Sequence, residues 1–455
     1  MILKAVFERF AQKTPITVMT RALLEYALGT DALNALFDQH ARQQYAHKLL
    51  FSSLVDLMAL VVCRMQPSPC AAYELMKEDL RTSLSAVYDK LNGIEDNVTA
   101  SLVRHVGCRL GSVIVKLDGQ LPPLVPGYRT KIIDGKHLNA TEHRLAVLRD
   151  VKAAPLPGQA LVVLDPSLML AIDMFPCQDG WAQERSLFSQ VLESVTKKDL
   201  WIADRNFCTV GFLCGILLRQ GFFCIRQHEN FPVASSSEFQ SCGRCRTGEV
   251  FEQAVTFRGE DGTSTTIRRI VVRLDKLTTD GDTEIGILTN VPAHDADAVK
   301  VAELYLERWT IERLFQTLTE TLDGERPSLG YPAAALFAYA IALVSYNVAA
   351  TLRATLRATF GHERVEAEVS WYYVANDLRF NYGGMDVALD EEIWAPFHTM
   401  SAGELAVKLK DYAINVQLSS FKRHRRGPKR PQPPRTKYAD MPHVSTARLL
   451  ALRRV

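Results

Sequence analysis

Three carboxylates sit where metal chemistry needs them. Asp134 closes the short apolar run Arg129-Thr-Lys-Ile-Ile-Asp134-Gly, and Asp204 closes Asp199-Leu-Trp-Ile-Ala-Asp204. Glu312 lies in Tyr305-Leu-Glu-Arg-Trp-Thr-Ile-Glu312-Arg-Leu-Phe-Gln-Thr-Leu-Thr319. Hard divalent ions such as Mg2+ take oxygen ligands from a few carboxylates and keep water or substrate phosphate for the rest. Two such ions serve an in-line displacement at phosphorus, one at the attacking oxygen and one at the leaving oxygen. The expected chemistry is phosphoryl transfer.

The elements that must hold these acids can be read from periodicity. Leu304, Ile311, Phe315, Leu318 and Leu322 recur at spacings of seven, four, three and four, which predicts a helix through Tyr305–Thr319 with one buried stripe. At about 100° per residue, Tyr305, Arg308, Glu312 and Thr319 form a second row roughly 70° away, along the edge of that stripe. A carboxylate there is near the core yet open to a cleft. The plainer alternative is that Arg308 and Glu312 are an i,i+4 pair on a solvated face, worth a few tenths of a kcal/mol. For the other two acids, parallel neighbouring strands would bring both to one sheet edge, where ligands of such sheets gather.

Competing acids have simpler readings. Asp118-Gly119 also ends an apolar run, but the Gln-Leu-Pro-Pro that follows reads as a linker. Asp165, Asp173 and Glu184 read as turn or helix-surface acids, and Asp173 as a satisfied structural one. His137 and His143 read as surface residues. Cys242 and Cys245 form a lone CxxC without the second pair that a zinc site needs, so this stretch reads as a loop. Phosphate-cradling Gly-rich loops with Lys, HExxH and GxSxG are missing from the sequence, which leaves other enzyme classes without support.

Charge is unevenly placed. The net charge is +2, but residues 422–455 carry eleven Lys/Arg against Asp440, a net of +10, so the preceding 421 residues carry −8. Lys422–Lys437 holds eight Lys/Arg, four prolines and no acid, a composition expected to be extended and to bind nucleic acid phosphates. Nine cysteines without framework spacing, and a start lacking an apolar signal core, point to the reducing cytoplasm. Leu329–Leu352 has no charged residue but includes Gly330, Pro332, three tyrosines and Asn347, so a helix buried in protein is expected, with no membrane partner.

Along the chain, helices are expected near 18–29, 31–47, 49–65, 70–78, 83–92 and 98–116. Ser83–Leu91 suits either the second helix of a helix-turn-helix or a plain bundle helix. Short strands follow from 128, with a hairpin turning at Asp165-Pro-Ser, a helix over 181–196, a helix near 208–219 and the strand Phe222–Arg226. A Ser/Gly/Cys-rich loop (232–248) precedes alternating runs at Val250–Phe257, Thr265–Leu274 and Glu284–Val291. Further helices are expected at 363–378, 401–418 and 447–455. Mixed hairpins and strand–helix alternation give an α/β protein with a mixed sheet covered by helices.

Tyr305, Arg308 and Glu312, with Trp309 and Ile311 beside them, match the Tyr-x2-Arg-x3-Glu-x6-Lys signature in its Arg-Trp-x-Ile-Glu setting. With Ile133-Asp134-Gly135 and Ala203-Asp204-Arg205-Asn206, the chain resembles DDE transposases of bacterial insertion sequences, from about residue 128 to 322 and loosely beyond. The resemblance implies an RNase H-like core with a β-rich insertion between the second Asp and the Glu; the gaps of 70 and 108 residues suit this. It divides the chain into a helical N-terminal DNA-binding domain (1–120), the core (128–228 and 295–360), the insertion (229–294), and C-terminal helices with a basic tail (361–455). It implies Asp134, Asp204 and Glu312 as catalytic metal ligands, two Mg2+ ions replaceable by Mn2+, and DNA contacts from Tyr305, Arg308, Trp309 and Thr319. Basic residues Lys422, Arg423, Arg425 and Arg426 would add phosphate contacts. One position departs: Thr319 stands where the family has Lys, and offers one neutral donor but no charge.

The expected function is DNA transposition: cleavage at the element's terminal repeats, then strand transfer into target DNA, by a homodimer bridging two ends at the bacterial nucleoid. Two rivals follow from the same residues. One is an RNase H-like nuclease that cuts without joining. The other is a non-catalytic DNA-binding protein derived from a transposase, which Thr319 alone favours.

Overall fold

Helices come first in the computed structural model, which describes residues 2–44, 49–278, 281–423 and 441–453. They are α1 (Ile2–Lys13), α2 (Pro15–Ala27), α3 (Thr30–His40), α4 (Phe51–Val62), α5 (Pro69–Leu80), α6 (Leu84–Asn92) and α7 (Asp96–Leu117). The hydroxyl of Ser83 accepts from the backbone N–H of Ala86, capping α6. On α6, Val87 and Leu91 are buried, and Lys90 donates to the carbonyl of Leu49, so its one cation is spent inside the bundle.

A mixed sheet follows. Its elements are β1 (Arg129–His137), β2 (Ala154–Leu156), β3 (Gln159–Asp165), β4 (Leu170–Cys177), α8 (Phe188–Glu193), β5 (Asp199–Ala203), α9 (Val210–Leu218) and β6 (Phe222–Arg226). Then come β7 (Ala234–Ser235), β8 (Gln240–Cys245), β9 (Gly248–Arg258), β10 (Ser264–Leu274) and β11 (Glu284–Thr289). The order is β4-β3-β1-β5-β6-β11-β10-β9-β7, with β8 paired to β9. The β4-β3-β1 side is antiparallel, whereas β1, β5 and β6 run parallel, the arrangement expected of an RNase H-like mixed sheet. The β-rich strands hydrogen-bond onto β6 through β11 and continue the same sheet.

Two apolar layers cover the sheet. On one face Ile132, Val162, Leu164, Leu200 and Ile202 pack with the long helices. On the other, Ile133, Val163, Trp201, Phe223 and Ile225 pack with α8 and α9. Each large apolar side chain buried this way contributes about 1.5–3 kcal/mol.

The helices after the sheet are α10 (Ala298–Leu306), α11 (Trp309–Glu320), α12 (Pro332–Phe360), α13 (His362–Glu368), α14 (Trp371–Ala388), α15 (Ala395–Thr399) and α16 (Ala402–Ala413). The chain ends in β12 (His443–Ser445) and α17 (Thr446–Arg453). By length and apolarity α7 and α12 could each cross a membrane, but their most apolar windows are 67% and 83% buried inside the protein. On α12, buried Asn347 uses both ends of its amide on the backbone of Ala171 in β4, accepting from N–H and donating to C=O, each at 2.8 Å. Gly107 of α7 passes so near Ala171 and Ile172 that a Cβ would crowd their backbone. The edge strand is thereby closed.

Five local expectations need correction, one being the helix expected over 363–378, which is α13 and α14 parted at Val369, where the backbone bridges to Lys422. The expected helix over 181–196 is only α8 preceded by the 3-10 turn Glu184–Leu187. Its start is delayed because Asp179 accepts from the N–H of Trp181 in a side-chain turn. The stretch 232–248 is not all loop, since β9 recruits it as β7 and β8. β1 does not stop at Asp134 but runs to His137, held by pairing with β3. Finally, the helix expected through Tyr305–Thr319 is two helices: tight turns from Arg308 N–H to Tyr305 and from Thr310 N–H to Glu307 break it without glycine or proline.

Candidate active site

Register places the first two acids. Ile132 of β1 pairs with Ile202 of the parallel β5. Asp134 and Asp204, each two residues further on, therefore come level just past the last paired residues of β1 and β5. Alternation turns Asp134 to the same face as Ile132, against which α11 and α12 pack. The buried stripe Ile311, Leu314 and Leu318 seats α11 on that face, with Glu312 in its first turn.

Arg308, in the break between α10 and α11, joins the acids. Its guanidinium donates to Asp134 Oδ2 at 3.1 Å and pairs with Glu312 Oε1 at 2.7 Å. The hydroxyl of Tyr305 donates to Asp204 Oδ1 at 3.3 Å. Residues from two strands and a helix break thus meet in one cluster. Arg308 Nε finds no partner among the described residues.

The electrostatics are strained toward too much negative charge. Burial pushes the Asp134 carboxyl up to about 7, with Asp204 and Glu184 adding to the rise, against Arg308 and the Gly135 N–H. Burial works against the charge on Arg308, yet Tyr305, Asp134, Asp204 and Glu312 together hold its pKa above the usual value. The Tyr305 phenol is raised by burial and by Asp204. Glu184, read from sequence as a turn or surface acid, belongs to this neighbourhood: burial and Asp204 raise its carboxyl.

Other expected residues sit differently. Trp309 is 53% exposed, its ring 5.4 Å from Arg308 Cζ. Thr319 does not face the acids' shared space with a free hydroxyl. It donates to the carbonyl of Phe315 at 3.0 Å and to Glu325 Oε1 at 2.9 Å, the same oxygen that Lys136 Nζ approaches at 3.1 Å. Lys422 and Arg423 are exposed beside Val369 and Glu368, at the end of α13. Arg425 and Arg426 lie outside the described residues. Asp118 is the left-handed C-cap of α7, and Asp173 is paired with Arg104 at 2.6 Å. Cys242 and Cys245 are free thiols on β8.

Residues 126–348 match the family model described as Transposase DDE domain. The stretch from β1 into α12 is thus similar to a transposase DDE domain. The chain is also similar to a piggyBac transposase seen by cryo-EM in a synaptic complex with hairpin DNA. That loose likeness has 10% identity and a TM-score of 0.34, over 88% of this chain and 81% of that one. No curated protein matches the chain.

DDE transposases generally work with divalent ions, and the side chains gathered here fit such ions. The ligands on offer are carboxylate oxygens, the choice of Mg2+ and Mn2+ rather than of zinc. Among the described residues no three acidic, His or Cys side chains are already gathered closely enough to hold a metal. The Arg308 guanidinium bridges Asp134 and Glu312 and supplies positive charge between them.

Proposed function

We propose that this chain is a DNA transposase of the insertion-sequence type carrying the Tyr-Arg-Glu signature, which cuts at its element's ends and joins the freed 3′-ends to target DNA. The observation that carries the reading is the convergence of Asp134, Asp204 and Glu312 on Arg308 and Tyr305 within the DDE domain. Two Mg2+ ions, for which Mn2+ can substitute, would supply the charge that activates an attacking hydroxyl and steadies the leaving oxygen.

The protein's own part is to place and neutralise. Asp134, Asp204 and Glu312 are the ligands for that charge. Arg308 keeps Asp134 and Glu312 compensated until then, and its planar fork of donors afterwards suits a DNA phosphate. Tyr305 is 4% exposed and bonded to Asp204, so it positions that acid rather than stacking on DNA. The open ring of Trp309 is the better surface for a nucleotide. Lys422 and Arg423, with Arg425 and Arg426, would hold the flanking duplex through phosphates, in a homodimer bridging two ends.

The test is strand cleavage of a duplex bearing the element's own ends with Mg2+, comparing the wild type with Glu312→Gln and measuring DNA binding by both. Cleavage is expected to fall by several orders of magnitude while binding persists. Cutting without joining would instead indicate a nuclease. Tight binding with no cleavage by the wild type would sink the enzymatic reading in favour of a DNA-binding protein.

A further inference from the structure

We propose that Glu184 is a fourth carboxylate of the catalytic centre, a metal ligand shared with Asp134 and Asp204. The inference rests on the three-acid reading above and extends it.

Glu184 opens the turn Glu184–Leu187 that carries the chain from β4 into α8, fifty residues from Asp134 in sequence. It nevertheless folds over β1. Its Oε1 fills the space that a Cβ on residue 135 would take, so glycine next to Asp134 makes a cradle for this carboxylate. No backbone requirement explains that glycine, because its φ is not positive. The other oxygen of Glu184 accepts from the side-chain amide of Asn206 at 3.4 Å, two residues beyond Asp204. Glu184 thus touches the residues just after each catalytic aspartate.

Its position is also fixed from behind. Leu187 and Phe188 are buried, and Phe188 packs on Phe207 and Phe212 with ring centroids 5.1 and 4.6 Å apart. Phe207 belongs to the turn that begins after Asp204. Aromatic packing therefore ties the Glu184 turn to the Asp204 turn, as a ligand position needs and a solvated surface acid does not. Asp134 and Glu312 already share the Arg308 cation, whereas Asp204 and Glu184 take hydrogen bonds from the neutral Tyr305 and Asn206. Two octahedral ions have more positions to fill than three carboxylates supply, and this acid lies where a fourth is useful.

The experiment is Mn2+ binding to the full chain without DNA, followed by the EPR signal of free Mn2+. The variants are Glu184→Gln, Gly135→Ala, Asp134→Asn and, as control, Glu193→Gln, an exposed acid on α8. Glu184→Gln is expected to weaken Mn2+ binding about tenfold or more, or to remove one of two equivalents. Gly135→Ala, whose Cβ displaces the Glu184 carboxylate while leaving every acid in the chain, should do the same, and Glu193→Gln should bind as the wild type does. Gly135→Ala also keeps the test decisive if Glu184→Gln folds poorly by circular dichroism. Wild-type isotherms from Glu184→Gln and Gly135→Ala, with binding lost in Asp134→Asn, would show that Glu184 is structural. Unchanged binding by Asp134→Asn would instead overturn the three-acid reading itself.

Discussion

Asp134 shows how much one residue's surroundings matter. An unperturbed aspartate titrates near 3.9, but burial lifts this one to about 7. A raised carboxyl means the folded state holds its proton more tightly than the unfolded one. Its contribution to stability is therefore lost as pH rises from about 4 through about 7. In metal-free protein the melting temperature should fall from about pH 4 to about pH 7, and Asp134→Asn should flatten that fall. Divalent ions bind the ionised form, so the rise in melting temperature on adding Mg2+ should grow with pH in the wild type. Parallel melting curves for the two proteins would refute both statements. At this scale Asp134 and Asp204 are legible in the sequence because each follows a short apolar run, and Glu312 because its helix has a clear stripe. The place of Glu184 beside Gly135 is not legible, because it depends on a missing Cβ and on a contact made only once β4 and β1 are in place.

At the scale of elements, apolar periodicity marks most helices and strands to within a few residues. The failures share a cause: a neighbour supplies what the local sequence does not advertise. β8 is polar and largely exposed, and exists as a strand because β9 offers it a ladder. The break at Arg308 has no glycine or proline to announce it, yet it is what turns the guanidinium toward two acids. Asn347 is a third case, an amide in an otherwise apolar helix that serves the edge of β4. Asn347→Leu would leave a buried N–H and C=O without partners, at about 1–3 kcal/mol per orphaned group. A denaturation midpoint lowered accordingly, without change of slope, is the expected result; an unchanged midpoint would mean that water serves the strand instead.

Among the described residues the larger of two sheets has two apolar faces, and Asp134 and Asp204 lie where the parallel pairing of β1 with β5 ends. The mixed sheet follows from the order of apolar runs, whereas the RNase H-like expectation rested on the resemblance to DDE transposases. The continuity of β6 with β11 is not visible in sequence, because pairing partners far apart along the chain leave no periodic trace. Charge is the other property of this scale. If the four basic residues Lys422, Arg423, Arg425 and Arg426 meet phosphates, replacing all four by alanine should reduce the slope of log K against log salt by about 3–4. An unchanged slope, from DNA binding measured at several salt concentrations, would place the phosphate contacts elsewhere.

The last strand alters what that basic stretch can do. After residues 424–440, β12 pairs with β2, while Ser445 and Arg448 donate to Asp179 at 2.6 and 2.7 Å. Arg423, at the other end, is fastened by its N–H to the carbonyl of Glu368. Eighteen residue steps join Arg423 to Met441, and fully extended they span no more than about 65 Å. The described residues on either side of 424–440 are thus both fastened to the body of the protein. A ligand held by Lys422 or Arg423 would therefore lie against the end of α13, on the body of the protein.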